Sequence, residues 1–190
     1  MSLVELIAQA DERGLAASGL ACLDRCVPVL GGDDEVLRPL WARLAEGGDW
    51  RGPLAEARSA LAAAAGVAGA GSVPGTGAAH EAATLTRRML DAVPAGPSGA
   101  EVREWADGCS VAALQVHRLL DTAPGDGTDA AATLTSPLVA AELRRQVRIL
   151  ELLADKGAGP AGGLRQALDV SMEGRRVLRA VMSRRARVRR

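Results

Sequence analysis

Apolar residues recur along this chain at spacings of three and four, the period of helices buried on one side, and nowhere alternate as a half-buried strand requires. Ser2 and Glu5 have capping-box spacing, and Leu3, Leu6, Ile7 and Ala10 share a face until Gly14, which should stop a first helix. A second starts near Leu15 with Ala16, Leu20, Leu23, Val27 and Leu30 inward, and Pro28 should bend or end it. Asp33, Asp34 and Glu35 supply a cap and first-turn carboxylates for a third, with Leu37, Leu40, Trp41 and Leu44 inward, although Pro39 blurs its start. Pro53 suits the first turn of a fourth helix running to about Ala65. These four read as two successive helical hairpins.

Residues 66–78 combine Gly, Pro and small side chains without an apolar period, the composition of a flexible connector. A helix from about Ala79 to Ala92 follows. Ser98 and Glu101 form a second capping box, opening a helix in which Val102, Trp105, Cys109, Ala112, Val116 and Leu119 make a seam suited to bundle packing. After a loop around Gly125 to Gly127, Asp129 is a weak cap, and Ser136-Pro137 is a stronger start for a helix with Val139, Leu143, Val147, Leu150 and Leu153 inward, ended by Gly157. The last helix begins near Ala161, turns Ala167, Val170, Gly174, Val177 and Val181 inward, and frays into an arginine-rich end. The expected fold is an all-α bundle of about eight helices with no sheet. Its expected parts are N-terminal hairpins over 1–66, a linker over 67–78, a bundle over 79–183 and a basic tail over 184–190.

Composition sharpens this picture. The chain is 48% hydrophobic, but much of that is alanine, with no Phe or Tyr, so the core must be built from Leu, Val and Ala around Trp41, Trp50 and Trp105. No apolar run reaches the roughly 18–20 residues that cross a bilayer, and the N-terminus lacks the basic-then-apolar order of a signal peptide, so the expected compartment is the cytoplasm. Cys22, Cys26 and Cys109 are too few for a disulfide framework and read as free thiols. Net charge is zero but unevenly spread: residues 1–140 hold 18 acidic and 10 basic side chains, whereas 141–190 hold 5 acidic and 13 basic.

Candidate chemistry is sparse. Cys22 and Cys26 lie one turn apart on a predicted helix and read first as simple packing beside Leu20, Leu23 and Val27; the alternative is a metal or redox partner shared with Cys109 or a histidine. His80 and His117 are the only histidines, and neither lies in the Glu-x-x-His pairs of di-metal bundles. His117 could contact Asp121 one turn on. The glycine-rich stretch lacks the Gly-Lys-Ser/Thr of a phosphate loop and carries Pro74 where a dinucleotide fingerprint needs glycine. No cofactor is implied.

Residues 102–120, VREWADGCSVAALQVHRLL, resemble the helix-turn-helix of transcription regulators, particularly the IclR-like pattern ending in Val-His-Arg-Leu-Leu. Trp105, Ala106, Cys109, Val111, Val116 and Leu119 fall at that motif's buried positions, with Gly108-Cys109-Ser110 as the turn. The resemblance covers about forty residues, the helix at 79–92 serving as support, and implies DNA binding through Gln115 and Arg118. The same spacing also describes one uninterrupted bundle helix.

The remaining signal is basic. Arg175, Arg176, Arg179, Arg184, Arg185, Arg187, Arg189 and Arg190 face only Glu173 at the C-terminal end, and with Arg118 they are the candidate anion-binding or nucleic-acid-binding residues. The acidic body of the same chain could also receive them. The leading expectation is a non-enzymatic protein-interaction or scaffold protein, with self-association as one form and protein or a second copy as partner. A nucleic-acid-binding regulator and a metal- or thiol-dependent protein are the alternatives.

Overall fold

The computed structural model describes all residues except 70–76, 95–98, 122–135, 156, 158, 189 and 190. Among the described residues there are eight α-helices and no strand. They are α1 (Leu3–Gln9), α2 (Glu12–Cys26), α3 (Arg38–Glu46), α4 (Arg51–Gly69), α5 (Ala78–Asp91), α6 (Gly99–Asp121), α7 (Pro137–Ala154) and α8 (Gly159–Val188). Ser98 and most of the expected 67–78 linker lie outside the described residues, as do Asp129, Arg189 and Arg190.

The Ser2–Glu5 capping box forms as its spacing predicts, but α1 ends at Gln9, before Gly14. Gly14 instead belongs to the first turn of α2. The Asp11 carboxylate accepts a hydrogen bond from its N–H at 2.7 Å, which makes Asp11 the cap and starts the helix three residues earlier than the apolar pattern suggests. Pro28 does end α2, and the chain tightens into a 3-10 turn over Val27–Leu30 that Gly31 closes with φ of 73°. The third helix begins later than its acidic cap suggested. Pro39 cannot donate to the ladder and its ring would clash with the carbonyl four residues back, so it is confined to the first turn, and α3 starts at Arg38.

Every residue of α2 from Gly14 to Cys26 is buried, so this helix has no solvent face and forms the centre of the bundle. It packs chiefly on α6 and α8, with α7 on a further side, while α5 flanks α6 and α1 lies on α7. One apolar cluster runs from Leu15 through Leu61 and Val116 to Leu178. α2 and α6 approach closely at Gly19, where a Cβ would lie 2.6 Å from the Trp105 ring. Trp105 is fixed there by an indole hydrogen bond to the Met89 carbonyl at 2.9 Å and an edge contact with Trp50.

Two expected inward faces are rotated. On α7, Leu143 is 41% exposed, while Glu142, Gln146 and Ile149 point inward with Leu150. On α8 the buried residues include Ala167, Ser171, Gly174, Arg175 and Leu178, leaving Val170, Val177 and Val181 half-buried. Polar side chains that need one another occupy the positions that hydrophobicity alone gave to valine and leucine. Among the described residues the arginine-rich end does not fray, and α8 stays helical to Val188. None of the helices is long and apolar enough to cross a membrane among the described residues.

Candidate functional site

Two fully buried charges of opposite sign meet where α2, α6, α7 and α8 converge. Arg25 of α2 and Glu142 of α7 are both fully buried and pair in fork geometry, Nε donating to Oε2 at 2.8 Å and Nη2 to Oε1 at 2.6 Å. Gln146 donates from Nε2 to Glu142 Oε1 at 3.0 Å and receives the Ser110 hydroxyl at 2.7 Å, which ties α6 to α7. Arg25 Nη1 donates to Ser171 Oγ at 3.3 Å, which brings in α8. Gly174 on α8 makes room for the arginine, because a Cβ there would collide with Arg25 Cδ.

The electrostatics follow from burial set against pairing. Burial alone would raise the Glu142 carboxyl, but the Arg25 charge and its hydrogen bonds outweigh it and hold the carboxyl below its ordinary value. Burial likewise opposes the Arg25 charge, and Glu142 reverses the balance, leaving the guanidinium firmly protonated. His117 does not contact Asp121 as its spacing suggested. Asp121 instead accepts from the Ser136 hydroxyl and the Leu138 N–H at the start of α7. The His117 ring is buried, with Nδ1 2.8 Å from the Ala113 carbonyl, so Nδ1 carries the proton. Nε2 stands 3.6 Å from Glu142 Oε2 without a hydrogen bond, and burial keeps the ring neutral by lowering its pKa.

A second cluster clasps α8 to the start of the chain. Arg175, nearly buried, pairs through Nη1 with Asp24 Oδ1 at 3.0 Å and also donates to the Asp34 carbonyl. Arg179 pairs with Asp34 at 2.7 Å and donates to the Gly32 carbonyl at 3.2 Å. Burial pushes the Asp24 carboxyl up to about 6 despite Arg175.

Of the basic candidates, then, Arg175 and Arg179 make ion pairs within the molecule, Arg175 buried and Arg179 at the surface. Arg185 donates to the Leu120 carbonyl at 2.6 Å, where the end of α8 passes the end of α6. Arg176, Arg184 and Arg187 on α8 and Arg118 on α6 are exposed. The helix-turn-helix is absent: 99–121 is one continuous helix through Gly108, Cys109 and Ser110, and Ala113 is buried rather than presented. Trp105, Cys109 and Val116 face a single core, which leaves no reason for the helix to turn.

Cys22, Cys26 and Cys109 are buried free thiols. Burial pushes the Cys22 thiol up to about 12 and raises Cys26 and Cys109 well above their ordinary value, which favours the neutral thiol at all three. Cys22 Sγ instead accepts from Arg25 Nη2 at 3.4 Å. Among the described residues no group of three or more His, Cys, Asp or Glu side chains is placed to hold a metal. A cavity of about 590 Å³ lies between α1, the end of α7 and the start of α8, with Leu6, Leu150, Leu153 and Leu164 in its wall; no residue of the Arg25–Glu142 network lines it.

Sequence reasoning missed Arg25, Glu142, Gln146 and Asp24. One local signal was present: Asp24-Arg25 interrupts an otherwise apolar stretch from Leu20 to Leu30, so two charges on a helix without a polar face require buried partners. Compared with known protein families, with curated proteins and with solved structures, the chain matches none.

Proposed function

We propose that this chain is a non-enzymatic helical interaction protein that presents the C-terminal half of α8 to an acidic partner surface. The observation that supports this is the division of roles among the arginines of α8. Arg175, Arg179 and Arg185 anchor the helix to Asp24, Asp34, Gly32 and Leu120, and the anchored helix carries Arg176, Arg184 and Arg187 outward at fixed positions. Cations on a held helix lose less freedom on binding than cations on a loose tail, and they steer an acidic partner into a defined orientation.

The buried network does a different task. Sealed among four helices, it fixes how α7 and α8 sit on α2 and so holds the outer face of α8 in place. Nucleic-acid phosphate is the competing anion. With α6 continuous, such binding would rest on phosphate contacts alone and would carry no base readout.

Titration of a fluorescent oligoglutamate and of a fluorescent DNA duplex across a salt series tests the reading, with the full chain and with a chain truncated after Ser183. Oligoglutamate binding that weakens as salt rises and is lost on truncation is expected. Absence of binding, or binding that survives truncation, would overturn the reading; binding of the duplex alone would transfer the basic face to nucleic acid.

A further inference from the structure

The outer face of α8 carries both signs of charge in a fixed order. Asp169, Glu173, Arg176, Ala180, Ser183 and Arg187 follow one another at spacings of four, three, four, three and four, and all six are exposed. That alternation keeps a stripe on one side of a helix over a length of roughly 27 Å. Its first part is acidic and its last part basic, with exposed Arg184 beside Ser183. Asp169, Glu173, Arg176, Arg184 and Arg187 make no hydrogen bond or ion pair with the described residues. The helices that pack on α8 occupy its opposite side, where Ala167, Ser171, Gly174, Arg175 and Leu178 are buried.

We infer that the acidic surface met by α8 is the α8 of a second copy of this chain, packed antiparallel along this stripe; the inference rests on the reading proposed above. A twofold axis at the level of Leu178 along the helix, on its exposed side, sets Asp169 opposite Arg187 and Glu173 opposite Ser183, within reach of Arg184. Because the contact is isologous each pairing occurs twice. Arg176 faces Ala180, whose short side chain leaves it room. The two Arg176 side chains nearest the axis are the one like-charge encounter, set against four opposite-charge ones. A parallel arrangement would place Asp169 on Asp169 and Arg187 on Arg187, so the order of charges selects the antiparallel one. Half-buried Met172 and Val177 flank the stripe and add apolar contact. Exposed ion pairs contribute little individually, so the dimer is weak and salt-sensitive.

Sedimentation equilibrium of the full chain at low ionic strength, over a wide concentration range, is the test. The wild-type chain is expected to dimerise as concentration rises and to dissociate when salt is added. Asp169→Arg with Glu173→Arg makes the stripe wholly basic, and Arg184→Glu with Arg187→Glu makes it largely acidic. Each double variant alone should remain monomeric, and an equimolar mixture of the two should form a heterodimer. A wild-type chain monomeric at every concentration, or variants that dimerise as well as wild type, would overturn the inference. If the wild-type chain stays monomeric yet binds oligoglutamate through its basic end, a second copy is not the partner while the interaction reading stands; loss of both results removes both.

Discussion

Arg25 in the centre of the bundle and Arg187 at the outer end of α8 carry the same group in opposite surroundings. Arg25 has lost its water and depends on Glu142, Ser171 and Cys22 for every interaction it makes, whereas Arg187 keeps its water and has no fixed partner among the described residues. A buried ion pair is weak evidence of net stability, because desolvation offsets much of the attraction, but removing one member leaves an uncompensated charge. The exposed arginines can be exchanged at little cost to the fold. Charge at the centre therefore specifies how the helices pack, and charge at the end of α8 is free to act between molecules.

Removing Glu142 disturbs the centre of the bundle most. Glu142→Ala should cost about 3–5 kcal/mol in urea unfolding followed by circular dichroism, since it strands Arg25. The double change Arg25→Met with Glu142→Leu should recover most of that loss; a double variant as unstable as the single would mean that the pair contributes more than mutual neutralisation. Next in size is Gly19→Ala, expected to cost about 1–3 kcal/mol because the Trp105 ring must move from a position fixed by Met89 and Trp50.

A smaller effect sharpens the comparison through pH. Burial raises the Asp24 carboxyl from 3.8 to about 6, so its contribution to stability is full below 3.8 and is lost as pH rises through about 6. His117, lowered by burial, and Glu142, lowered because Arg25 outweighs burial, act in the opposite sense. Their contributions are present above their ordinary values and are lost as pH falls through the lowered ones. Asp24→Asn should therefore lose stability more steeply than wild type on acidification from neutral pH, read as urea midpoints at a series of pH values. A variant whose profile ran parallel to wild type would contradict the assignment. The smallest effect belongs to the outer face: Arg176→Gln, Arg184→Gln and Arg187→Gln should each shift stability by no more than about 0.5 kcal/mol.

Much of the helix order was legible because caps and prolines act locally. Ser2 with Glu5, Ser136 with Pro137, and Pro28 each set a boundary near where their chemistry requires it. The inward faces of α7 and α8 were not legible from hydrophobicity. Val139, Leu143 and Val147 satisfy a helical period, but Glu142 and Gln146 lie one turn apart on a neighbouring stripe, and what turns that stripe inward is an arginine 117 residues away. No local rule pairs residues at such separation. The same holds for Arg175, which reads as part of a basic tail and becomes a buried clasp only once Asp24 and Asp34 are brought beside it. Conversely, the period seen in 102–120 was real, and it described a single helix with one core face.

On the proposed reading, Arg176, Arg184 and Arg187 of α8 serve association while Arg175, Arg179 and Arg185 hold the helix in place. Fluorescence anisotropy of oligoglutamate at low salt, titrated with wild-type chain and with the triple variant carrying Arg176→Gln, Arg184→Gln and Arg187→Gln, tests this most directly. Binding by wild type is expected, with its loss in a triple variant that still unfolds at nearly the wild-type urea concentration. Equal binding by the two chains, or a triple variant that no longer folds, would contradict it.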